Sequence, residues 1–161
     1  MQALRVWWVS LGLLLSACAG PRALQNQSPE GDAHWQGRLS VKVFSKPVQA
    51  FSAGFDLQGR PTKGELVLTS PLGTTWATLH WDQQEATLLA HGVQQRYGSL
   101  QELASRATGA DIPIASLFAW LAGQPQEAPG WQADLTELPG GRLLARHLEE
   151  VQAELKIILD R

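Results

Sequence analysis

Side chains able to do acid–base, nucleophilic or metal chemistry are few in this chain and scattered. The four histidines, His34, His80, His91 and His147, show neither His-x-x-x-His nor Cys/His ligand spacing. The one thiol, Cys18, lies ahead of the segment where globular patterning begins. No Gly-x-Ser-x-Gly elbow is present. Glu149-Glu150 is the only adjacent carboxylate pair, and it sits near the C-terminus, where such a pair is usually a solvated face. Gly140-Gly141 reads as a hairpin turn, not a phosphate loop. These residues predict no enzyme, no cofactor and no metal site.

The chemistry that does fit is acylation of Cys18. The chain opens MQALRVWWVSLGLLLSACAG, with Arg5, an apolar run from Val6 to Leu15, then small residues. That is the layout of a secretory signal peptide, and the run is too short to span a bilayer comfortably. Leu15-Ser16-Ala17-Cys18 resembles the bacterial lipobox, in which cleavage falls just before a lipid-modified cysteine. The resemblance implies a signal peptide over residues 1–17 and a lipid attached at Cys18. Two or more acyl chains anchor stably where one does not. By the usual bacterial sorting rule, Ala19 rather than aspartate beside the lipidated residue points to the outer membrane, facing the periplasm.

Removing residues 1–17 from a chain of 161 leaves 144, one domain's worth. Arg5 goes with the leader, leaving 12 basic against 15 acidic residues and a formal charge of −3. No basic stripe is present, so no nucleic-acid partner is expected. Residues 18–33 read as the lipidated cysteine and a flexible tether spanning roughly 20–23 Å, and residues 34–161 as a single domain.

The elements that must position any site follow from the pattern. From Trp35 apolar residues alternate: Leu39, Val41 and Val43; Phe51, Ala53, Phe55 and Leu57; Leu66 and Leu68; then Ala77, Leu79 and Trp81 against Trp76, Thr78 and His80. Alternation bounded by turn residues predicts an antiparallel meander. At Ser99 the period changes. Ser99 and Glu102 have capping-box spacing, and the helix ends at Gly109 with Leu100, Leu103, Ala104 and Ala107 on one side. Pro113 opens a second short helix closed by Gly123, with Ile114, Leu117, Phe118 and Leu121 on its apolar side. Alternation resumes in WQADLTEL, GRLLARHLEE and AELKIILDR. About six strands, two helices and about three strands predict an α+β fold, mainly β, with the helices on the concave side of a curved sheet.

One turn is unusual. In LTSPLGTTWATLHW, Pro71 and Gly73 are ordinary turn residues but Leu72 is not. From the residues alone, Leu72 either folds back onto Trp76 as a satellite contact or stands in solvent, and the first is the plainer reading.

The order of lipobox, tether, WQGRLSV, AGFDLQG, GELVLTSPLGTTWATL and YGSLQELASRATGADIPIASLFAWLAGQP resembles the LolB family. Similarity covers most of residues 35–125, with the SPLG turn and the helix pair its most specific parts. The resemblance implies an incomplete antiparallel β-barrel whose apolar cavity is covered by short helices. It implies a monomeric outer-membrane lipoprotein that accepts acylated lipoprotein cargo from a soluble periplasmic carrier and inserts it into the outer-membrane bilayer. It also selects the exposed reading of Leu72, with Pro71, Leu72 and Gly73 as the membrane-insertion loop. Alternation and helix faces then nominate Leu39, Val41, Phe55, Leu66, Leu68, Leu79, Trp81, Leu117, Phe118 and Leu121 as cavity lining. The segment from Gly123 to Arg161 is short for the family, which predicts a more open barrel. The alternative is an anchored lipid-binding or docking lipoprotein without insertion activity, and a docking protein predicts a filled core.

Overall fold

The structure, a computed structural model, describes residues 32–149 and 151–160. Cys18, the expected signal peptide over residues 1–17 and most of the expected tether over residues 18–33 lie outside the described residues.

The first six strands form a meander: β1 (Ala33–Val43), β2 (Gln49–Arg60), β3 (Lys63–Thr69), β4 (Thr75–Trp81), β5 (Ala86–Ala90) and β6 (Val93–Tyr97). Two helices follow, α1 (Leu100–Thr108) and α2 (Ile114–Leu121), then β7 (Trp131–Asp134), β8 (Arg142–His147) and β9 (Ala153–Leu159). The nine strands of the described residues join one antiparallel sheet in the order β6-β5-β4-β3-β2-β1-β9-β8-β7, an incomplete barrel. β9 closes against β1, with Val43 opposite Ala153 and Gly37 opposite Leu159. The chain therefore returns to the start of the meander, and the edges β6 and β7 stay apart.

Local chemistry explains the boundaries. Ser99 caps α1, its side chain accepting from the Glu102 N–H, while the Glu102 carboxylate accepts from the Gly98 N–H. The capping box thus reaches back one residue further than its usual form. Gly109, in the left-handed conformation, ends α1 by donating to the Ser105 carbonyl. Pro113 precedes α2 as its cap residue instead of occupying its first turn.

The stretch WQADLTEL is only half strand. Asp134 accepts from the Thr136 N–H and hydroxyl, an Asx-type turn that ends β7 after four residues. A short 3-10 turn, Leu138–Gly140, then leads into β8 in place of a two-residue hairpin.

The core lies between the concave face of the sheet and the two helices. Phe118 of α2 packs edge-on to Trp35 at 5.6 Å and to Trp81 at 6.4 Å between ring centres. Trp120, which the apolar-face reading passed over, is the most buried residue of α2, its indole N–H donating to the Gln126 carbonyl. That side of α2 meets the link to β7, where the Ser116 hydroxyl also donates to the Glu127 carbonyl, so the helix is buried on two faces instead of one.

Candidate functional site

Between the sheet and the helices lies a cavity of about 460 Å³, within the size range of small-molecule sites. Strands β1, β3 and β4 supply Leu39, Val41, Leu66, Leu68, Leu79 and Trp81, and α2 supplies Leu117 and Phe118. Eight of the ten nominated residues therefore meet at one surface. Phe55 and Leu121 do not. Both are buried, but Phe55 packs in the filled part of the core opposite Gly37 and Leu68, and Leu121 sits one helical turn beyond Phe118. Alternation assigns a side chain to a face; it carries no information on whether the space in front is filled.

The cavity also takes in side chains outside that set. The α1 stripe of Leu100, Leu103, Ala104 and Ala107 forms part of its roof, and Leu155 and Ile157 of β9 join β1 in its floor. The stripe was visible as a helical face, and Leu155 and Ile157 as an alternating pair. Trp76 was not. Its position in β4 assigns it to the outer face with Thr78 and His80, yet it lines the cavity. The cause is a β-bulge: Leu68 pairs with Ala77 and Thr69 with Thr75, so Trp76 has no opposite residue. The bulge turns the indole inward, 6.0 Å from the ring of Phe51.

Exposure locates the mouth. Phe51, Trp76 and His91 line the cavity and reach solvent, whereas Leu57 and Trp81 at the opposite end are buried. Trp81 seals that closed end. Its indole N–H donates to the Arg60 carbonyl, and a Cβ on Gly64 would come within 2.5 Å of its ring, so only glycine leaves it room.

The β3–β4 loop stands at the mouth end, next to Trp76. The Gly73 N–H donates to the Ser70 carbonyl at 2.9 Å and the Ser70 N–H to the Thr74 carbonyl at 2.8 Å. The Ser70 hydroxyl accepts from the N–H groups of Leu72 and Thr74 at 3.2 and 3.1 Å. Gly73 adopts φ +82°, completing a turn in which Pro71 presets the first corner. Leu72, at the tip, is 94 % exposed. It does not fold back onto Trp76. Leaving a leucine in water forgoes about 1.5–3 kcal/mol of burial, and nothing in the loop recovers it.

Apart from His91 at the mouth, no titratable side chain among the described residues lines the cavity. His80 Nδ1 sits 3.1 Å from the Glu65 carboxylate, and His34 Nε2 3.0 Å from Asp56. Partial burial pushes the Asp56 carboxyl up, but donation from Gln36, Gln58 and His34 outweighs it and leaves the group below its ordinary value. None of these groups lines the cavity. A second hollow, about 570 Å³, opens at the closed end, but it is floored by Arg60, Lys63, Glu65, Asp82 and Glu85 and offers no apolar surface of comparable extent.

Residues 33–153 match the family described as "Outer membrane lipoprotein LolB". The chain belongs to the LolB family. Proteins named outer-membrane lipoprotein LolB from Chromobacterium violaceum, Erwinia tasmaniensis and Serratia proteamaculans are 32 %, 31 % and 31 % identical to it. The alignments cover 78 %, 76 % and 76 % of this chain and 70 %, 66 % and 66 % of the relatives, so the chain spans about two thirds of their length. The LolB match takes in the β3–β4 loop, both helices and every cavity-lining strand except β9, of which it reaches only Ala153.

Proposed function

We propose that this LolB-family chain is an outer-membrane lipoprotein, anchored through Cys18, that takes acylated lipoproteins from a soluble periplasmic carrier and inserts them into the outer membrane. The observation that carries the reading is one arrangement: an apolar cavity open at one end, with the exposed Leu72 projecting beside its mouth.

No bond need be made or broken. Each acyl methylene transferred out of water contributes about 0.8 kcal/mol, so cargo passes from apolar surface to apolar surface and never travels free. The cavity holds acyl chains more tightly than the carrier does and less tightly than the bilayer, which makes each step downhill. Leu72 is too small to hold the protein on a membrane, a task for the lipid at Cys18. Its burial suffices to seat the mouth against the bilayer and disturb the headgroups. The protein acts as a monomer. A partner-docking lipoprotein is the weaker reading, because its core should be filled.

The test mixes unlipidated Cys18→Ala protein with a carrier–lipoprotein complex and follows cargo by size exclusion, then adds liposomes. Cargo should move to this protein and onward to the liposomes, and Leu72→Glu should block only the second step. Retention of cargo by the carrier would overturn the proposal.

A further inference from the structure

The β1–β2 loop, residues 44–48, stands at the same end of the sheet as the Leu72 loop. The register places it there: Val43 pairs with Gln49, Gly54 with Thr69 and Thr69 with Thr75, so both hairpins turn on the mouth side. Phe44 and Val48 are 48 % and 55 % exposed, although each is large and apolar. No acidic residue occurs from Ala33 to Phe55, whereas Arg38, Lys42 and Lys46 do. The Lys42 ammonium lies 4.9 Å from the centre of the Phe44 ring. Lys42 faces Glu154 across the sheet, but that carboxylate is engaged by Arg146 at 3.0 Å and Lys156 at 2.8 Å, and the strip stays net positive.

The β8–β9 loop at the same end differs. It also exposes apolar residues, Leu148 and Val151, but between them come Glu149 and Glu150. Apolar tips flanked by lysines suit a membrane–water interface bearing negative headgroups, and tips flanked by carboxylates do not.

We infer that the β1–β2 loop is a second bilayer contact, in which Phe44 and Val48 enter the headgroup region beside Leu72 and Lys46, with Lys42, meets anionic phospholipid. This rests on the mouth facing a bilayer. Two contacts about two strand spacings apart across the sheet, on the order of 10 Å, and offset along the strands by Gln49–Ala53 of β2, which run past its last pair with β3, fix the tilt of the mouth, which a single leucine leaves free.

The experiment uses the chain lacking residues 1–17, which keeps every described residue, with Cys18→Ala removing the only thiol. An environment-sensitive fluorophore is attached at Val48→Cys, Leu72→Cys or, as the closed-end control, Thr62→Cys. Vesicles are phosphatidylcholine alone or with about one third phosphatidylglycerol. Probes at 48 and 72 should shift to the blue on the anionic vesicles and the probe at 62 should not. Lys46→Gln should raise the lipid needed for the position-48 shift about fivefold, the worth of one surface lysine. A shift at 72 without one at 48 overturns the inference and leaves the role of Leu72 standing. No shift at either position overturns both. Equal shifts on the two vesicle types, unchanged by Lys46→Gln, overturn the assignment to anionic lipid.

Discussion

Two turns of the same sheet, at opposite ends of β4, are tied by the same device and filled with opposite chemistry. At the mouth, the Ser70 hydroxyl accepts from the N–H groups of Leu72 and Thr74. At the closed end, Asp82 Oδ1 accepts from those of Gln84 and Glu85 at 2.7 and 3.0 Å. Each turn is held by a side chain at its first position, so backbone geometry demands no leucine in either. The closed-end turn carries Gln83-Gln84, the ordinary polar filler, while the mouth carries Pro71-Leu72. The turn itself therefore gives no reason for the leucine. The two hollows repeat the contrast, apolar under the helices and charged at the closed end.

Filling the cavity should have the largest effect. Ala104→Phe places a ring where acyl chain would lie. Displacing about three methylenes should weaken binding of a fluorescent fatty acid roughly fiftyfold, with the fold intact by circular dichroism. Next is Leu72→Glu, which should cut delivery of cargo to liposomes tenfold or more while stability stays within about 0.5 kcal/mol, since the side chain touches nothing. The reciprocal change sharpens the contrast: Gln83→Leu, added to Leu72→Glu, restores no delivery because it sits at the wrong end.

Gly73→Ala should cost about 1–2 kcal/mol by thermal unfolding. At φ +82° the added methyl meets no atom within 4 Å, so only backbone strain acts. The smallest effect is acid sensitivity. Hydrogen bonds from the N–H groups of Gln84 and Glu85 hold the Asp82 carboxyl below its ordinary 3.8. A lowered carboxyl contributes its stability above the ordinary value and loses it as pH falls through the lowered one. Amide resonances of Gln84 and Glu85 should therefore titrate below pH 3.8, while those of Leu72 and Thr74, tied to a hydroxyl, stay put.

Much of this was legible beforehand. Alternation placed the strands, and the Ser99 and Gly109 caps bounded α1. The inner faces of β1, β3 and β4 supplied six of the eight nominated residues that line the cavity. Phe55 and Leu121 show the limit of that reading, because facing inward and facing a void look alike in a period-two or helical pattern. Trp76 shows another: its inward turn depends on pairing Leu68 with Ala77 and Thr69 with Thr75, a relation between two strands that neither strand states alone.

The sequence by itself determined the order of strands and helices, because period and capping are local, and it marked Leu72 as an anomaly, because turn preferences are local too. Only the tertiary structure decided that the core is hollow, which end is its mouth, and that Leu72 points away from Trp76. Each of those depends on where side chains distant in sequence stop packing against one another, and that is a property of space left empty.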